Sequence, residues 1–178
     1  MDVIYSDEQL AGLADAALAN ARSLASSARL LLASGTAGLA RSLAILAMEE
    51  AGKSLIAKRA IEASGDERRE LEQLLKEALY KHPPKLEQVQ KIFELLTSMV
   101  QLLKAFVVKS DEELGDGWTA QGFNLAKQDG FYVGLKQDAV TTPSEITAAE
   151  AEPVLVRAEV AIEAVAALVG QVFIVELG

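Results

Sequence analysis

The chain contains no cysteine and a single histidine, His82, among its 178 residues. The first absence excludes disulfide frameworks, thiol nucleophiles and thiolate metal sites together. Aromatic residues make up 5% of the chain and are scattered, so no stacking platform for single strands is present. Basic residues are in the minority, 17 against 26 acidic, and the net charge of -9 disfavours phosphate polymers unless a local basic patch attracts them. The Gly-x-Gly of Gly115 to Gly117 neither follows a strand nor opens a marked helix, so it is no phosphate loop. No Gly-x-Ser-x-Gly elbow occurs. The longest uncharged apolar stretch, between Glu163 and Glu176, includes Gly170 and Gln171 and falls short of the ~20 residues a bilayer span needs. The opening MDVIYSDEQL carries acids where a secretory signal would carry Lys or Arg, which reads as a cytoplasmic start.

What is present is apolar residue: 51% of the chain, enough for one ordinary core, and no second domain is visible within 1–178. Ser6 with Gln9 reads as a capping box, and from it Leu10, Leu13, Ala17, Leu24, Ala28 and Leu31 draw a helical stripe that Gly35 ends. Thr36 is placed to cap a second helix running to about Ala63, apolar on nearly every face between Leu43 and Met48 and therefore central. Asp66 and Glu67 open a third, more polar helix with Arg68 and Glu72 at i,i+4 spacing, stopped by Pro83 and Pro84. A fourth helix is expected from Lys85 to about Lys109, then a loop from Ser110 to Thr119, a short helix over Gln121 to Asp129, and a short extended segment or hairpin from Phe131 towards Pro143. Thr147 with Glu150 is a second capping box; the last helix that it opens turns Leu155, Ala158, Ile162, Val165 and Val169 inward.

The informative residues are those that break a helix's own pattern, because an unpaired buried charge costs several kcal/mol, roughly, and needs a partner. Glu50 interrupts the second helix's row of Leu39, Leu43 and Leu46, with Lys53 one turn on; Glu49 falls on the adjoining stripe with Ile45, Gly52 and Ile56. At least one of the two acids is drawn inside. Asn20 sits in the first helix's stripe, and both Asn20 and Glu50 lie 15 residues from Gly35, each ~22 Å from the turn at ~1.5 Å per residue. The expectation is a polar cluster of Asn20, Glu49, Glu50 and Lys53 inside the hairpin. It is read either as a register-fixing structural group or as a functional acid, with Glu49 or Glu50 a base of shifted pKa or an anchor for a neighbouring loop. A dinuclear carboxylate site is excluded, since it needs Glu-x-x-His pairs and none exists; no metal or other cofactor is called for.

His82 stands at a helix end in the most basic neighbourhood of the chain, with Lys76, Lys81, Lys85 and Lys91 around it. Such a site can hold a phosphate, with His82 as a general base. The plainer reading is an exposed bystander or helix cap.

The second helix, LARSLAILAMEEAGKSLIAKRA, preceded by Asn20-Ala21 and the leucine run to Gly35, resembles the signature region of the AbiV-type abortive infection proteins, which are similar to the HEPN superfamily. The likeness continues through Lys81-His82 and into Lys127-Gln128-Asp129-Gly130-Phe131-Tyr132-Val133, Pro143 and Ile146. The resemblance implies an all-α, HEPN-like bundle of about five helices with a long antiparallel N-terminal hairpin, a cytoplasmic prokaryotic homodimer, and a role in stopping phage propagation. Protein partners of phage or translation origin are then expected. Active HEPN domains are metal-independent ribonucleases in which four to six residues separate an Arg from a following His. Here Lys76 occupies that window before His82, and lysine lacks arginine's planar fork. Gly134 also stands where the pattern has an acid. Three readings follow from the resemblance: an effector acting through protein contacts, a ribonuclease using His82 with Lys76, Lys81 or Lys85, and an inactive antitoxin-like scaffold.

Overall fold

A computed structural model describes residues 4–80, 87–88, 90–91, 120–136 and 139–170. The architecture is an all-α bundle with one small hairpin. Helix α1 (Asp7–Ala33) starts at the expected capping box, where Ser6 Oγ accepts the Gln9 amide at 3.1 Å and Gln9 Oε1 accepts the Ser6 amide at 2.9 Å. Gly35, at φ +85°, ends it: the Gly35 amide donates to the Leu32 carbonyl at 3.1 Å and the Thr36 amide to Leu31 at 2.9 Å. Thr36 then precedes α2 (Ala37–Glu62), but its hydroxyl makes no cap bond and donates back to the Leu31 carbonyl at 3.0 Å.

Alanine governs how α1 and α2 meet. The buried row on α1 is Leu10, Ala14, Ala17, Leu18, Ala21, Ala25 and Ala28, against an α2 face rich in alanine at Ala40, Ala44, Ala47 and Ala51. Small side chains let the two helices approach closely, which packs more backbone atoms into van der Waals contact. Leu13, Leu24 and Leu31, expected to lead the stripe, are only half-buried and flank this seam.

Two apolar clusters fill the bundle. The larger joins Leu18, Ala21 and Ala25 to Ile45, Met48 and Ala51 and to Leu155, Ile162 and Val165 of α5 (Ala148–Gly170). The second sits at the other end of the hairpin, where Leu10, Ile56 and Ala60 meet Leu71, Leu75 and Ala78 of α3 (Gly65–Tyr80). The expected Arg68 and Glu72 pair forms at 3.1 Å, and it does more than brace one helix. Glu72 is fully buried and also accepts the Ile4 amide at 3.0 Å, while Arg68 donates to the Tyr5 carbonyl at 3.1 Å and pairs with Asp7 at 2.7 Å. The chain start is thereby tied to α3, and these carboxylates raise the Arg68 pKa, Asp7 contributing most.

Helix α5 opens at the Thr147 and Glu150 box, with Thr147 N–H on Glu150 Oε2 at 2.8 Å, and buries Leu155, Ala158, Ile162 and Val165 as expected. Arg29 of α1 clasps it, with Nη2 2.7 Å and Nε 3.2 Å from the two Glu159 oxygens, and pairs with Glu152 as well. Between them, α4 (Ala120–Phe131) leads into an antiparallel pair, Gly134–Lys136 with Ala139–Thr141, and a 3-10 turn at Pro143–Glu145. Of the stretch expected as a helix from Lys85 to Lys109, residues 87–88 and 90–91 are helical; the remainder and the Ser110 to Thr119 loop lie outside the described residues. Among the described residues no helix is long and apolar enough to cross a membrane.

Candidate functional site: a buried polar joint between α2 and α4

Helix α2 has neighbours on several sides, so a polar residue on it must find its partner in another element. Glu49, 1% exposed, finds Lys127 of α4, 5% exposed, with Nζ 2.6 Å from Oε1. Two turns earlier on α2, buried Ser42 donates from Oγ to the Lys127 carbonyl at 2.7 Å, and Arg41 Nη2 donates to the Ala126 carbonyl at 3.1 Å. Cationic and hydroxyl donors thus meet carbonyls near the C-terminal, negative end of α4. The backbones are close because glycines stand at two tight contacts there, Gly130 against Ser42 and the Gly38 carbonyl and Gly38 against Pro143. A methyl group on Gly130 would collide with Ser42 Oγ and the Gly38 carbonyl, and one on Gly38 with the Pro143 carbonyl. Next to the joint, Glu150 is held below the usual carboxylate pKa, first by the Thr147 amide and then by the Thr147 hydroxyl, with the Arg41 charge adding to them.

The polar cluster expected inside the hairpin divides differently. Glu49 is the acid drawn into the interior, where it meets Lys127 of α4. Glu50 pairs with Lys53 on α2 itself, Nζ lying 2.7 and 2.9 Å from the two carboxylate oxygens, with side chains 17% and 14% exposed. Asn20 corrects the sequence reading: it is exposed and does not enter the cluster. The expected stripe through Leu13 and Leu24 carried Asn20 inward, whereas the real seam is rotated onto Ala14, Ala17, Ala21 and Ala25, which turns position 20 to solvent.

Lys76 is exposed on α3. His82, Lys81 and Lys85 lie outside the described residues. Nearby, a groove of about 240 Å³ beside α3 brings Lys91 and Arg59 together with Glu67 and Glu70, a balanced lining with no preference for anions. Among the described residues no group of three or more metal-ligating side chains is gathered in one place.

Lys127 is the residue that sequence reasoning missed as a partner, although its segment had been singled out by resemblance. Its signal mirrors that of Glu49: a lone cation among Phe123, Ala126 and Gly130 on one face of a short helix. Chemically, a carboxylate and an ammonium closed off from water hold two elements in register and are out of reach of a substrate while α4 is seated. Each of the two segments that carry the family likeness thus supplies a residue to this joint, Glu49 from one and Lys127 from the other.

A family model described as AbiV, of the HEPN group, matches residues 9–163. No curated protein and no solved structure gives a match.

Proposed function

Because the chain belongs to the AbiV family of abortive infection proteins, we propose that it is a phage-defence effector that acts as a cytoplasmic homodimer through protein contacts, on a phage protein or the translation apparatus. The observation that carries this reading is the outward side of α4. Leu125 on α4 is 54% exposed, and Tyr132 and Val133, the two residues that follow the helix, are 68% and 67% exposed. Single exposed apolar residues are ordinary, but three on α4 and the two residues after it, where the helix's inner side is pinned by a buried ion pair, supply a contact surface.

The test is protection against phage in cells. Leu125→Gln combined with Tyr132→Gln abolishes protection while leaving the melting temperature within a degree or two, roughly, as surface substitutions do; His82→Ala leaves protection intact. Full protection by the double variant removes the proposed surface. Cleavage of RNA by the purified protein in chelator, lost on His82→Ala, replaces this reading with the ribonuclease. Sedimentation measures the dimer, and a single 19.0 kDa species at micromolar concentration removes that part.

A further inference from the structure

We propose that the groove of about 240 Å³ beside α3 is a binding site for a small zwitterion of the amino-acid type, an ammonium and a carboxylate on a short aliphatic skeleton. The site shares no residue with the buried joint or with the contact surface on α4.

Helix α3 builds its floor. Glu67, Glu70, Leu71 and Leu74 follow one another at helical spacing, residues 67, 71 and 74 and residues 67 and 70 being three or four apart, which sets all four on one face. Buried Leu71 belongs to the smaller apolar cluster and Leu74 packs against it, so the floor is the outer surface of the core and is fixed before any ligand arrives. Arg59, in the last turn of α2, joins Gln88 and Lys91 in completing the lining. The volume lies below the roughly 300–1,000 Å³ of drug-sized sites and suits a smaller ligand.

Charge decides the kind of ligand. A simple anion entering the groove meets Glu67 and Glu70, and a simple cation meets Arg59 and Lys91, so half of the lining repels either one. A dipolar molecule with its ends matched escapes both penalties. Arg59 and Glu67 already face each other at 3.8 Å. Glu70 and Lys91 are left over: they come from different elements, and among the described residues neither has an ion-pair partner. An ammonium at Glu70 and a carboxylate at Lys91 span the space between them, with the aliphatic part on Leu71 and Leu74.

Gln88 is an independent sign of a ligand. It is 4% exposed and lines the groove, and among the described residues its side-chain amide has no hydrogen-bond partner. Buried side-chain polar groups are in large majority bonded. An amide donates and accepts, so it can serve either end of a zwitterion, and a ligand that meets it offsets a desolvation cost that the protein alone leaves uncompensated. A molecule so placed touches α2, α3 and residues 88 and 91 at once, and stabilises their arrangement as its concentration rises above Kd.

Titration of the full chain with L-leucine as the probe, followed by backbone amide chemical shifts, tests the site without reference to phage protection. Leucine saturates with a Kd below about 10 mM and shifts the amides of Arg59, Glu67, Glu70, Leu74, Gln88 and Lys91 more than those of α4. N-acetyl-leucine, which lacks the ammonium, and leucinamide, which lacks the carboxylate, each bind about threefold more weakly or worse. Glu70→Gln weakens leucine by a similar factor without weakening N-acetyl-leucine, and Lys91→Gln weakens leucine without weakening leucinamide. Both substitutions are on exposed residues and leave the fold intact. The proposal is overturned by the absence of saturable binding below about 10 mM, by shifts centred outside the groove, or by derivatives that bind within about threefold of leucine. Unchanged leucine affinity in either variant overturns it as well.

Discussion

Glu49 and Glu50 are neighbours with the same side chain, and their surroundings separate them. Lys127→Ala removes the buried ammonium that pairs with Glu49 in a water-excluded joint, so the cost in urea unfolding is about 3 kcal/mol or more. Glu50→Ala breaks a pair that lies within one helix and retains some water, and costs about 1 kcal/mol or less beyond its lost packing. Equal losses in the two variants would show that burial does not distinguish them. The presence of an inward acid on α2 was legible in the sequence, because Glu49 and Glu50 sit in a run of apolar residues. Its partner was not, since Lys127 is 78 residues away and pattern on one helix says nothing about which other helix covers it.

Element ends and seams obey more local rules. The Glu150 box is written in four consecutive residues, and the helix starts where the spacing predicts. Since the folded Glu150 pKa lies below its ordinary 4.5, its contribution is complete above about pH 4.5 and is lost as the pH falls through the lowered value. Glu150→Gln therefore flattens the acid limb of a pH series of melting temperatures while leaving the neutral-to-basic limb with the parent's slope. The α1 and α2 seam is a tertiary matter. Leucine is more hydrophobic than alanine, so the pattern alone pointed to Leu13 and Leu24, yet close helix approach rewards the smaller side chain. Ala21→Leu, which drives extra carbons into this seam, lowers stability by about 1–3 kcal/mol in denaturant unfolding, whereas Ala19→Leu on the exposed side changes it by less than about 0.5 kcal/mol. A neutral Ala21→Leu would mean the seam is loose enough to accept them.

At the scale of the whole molecule the two apolar clusters are joined, because α1 and α2 pass through both. Leu75→Ala, at the centre of the smaller cluster, therefore lowers the calorimetric transition of the entire chain by about 2–5 kcal/mol and does not split it. A second, lower transition confined to the α3 end would overturn this coupling. The acidic net charge belongs to this scale too: at -9 the protein approaches a polyanion unfavourably at long range, so contact with RNA depends on local cations.

Local periodicity, capping chemistry and turn residues were sufficient for the helices of the hairpin and of α5, both capping boxes and the Gly35 reversal, since each depends on residues within about one or two helical turns of one another, while the segment after Phe131 stayed open between a plain extended run and a hairpin. Which face of α1 meets α2, that Asn20 meets solvent, and that Glu49 seeks α4 required the packed molecule. Those outcomes depend on helix separation and on the competition among several covering elements, quantities that no single helix carries in its own order of residues.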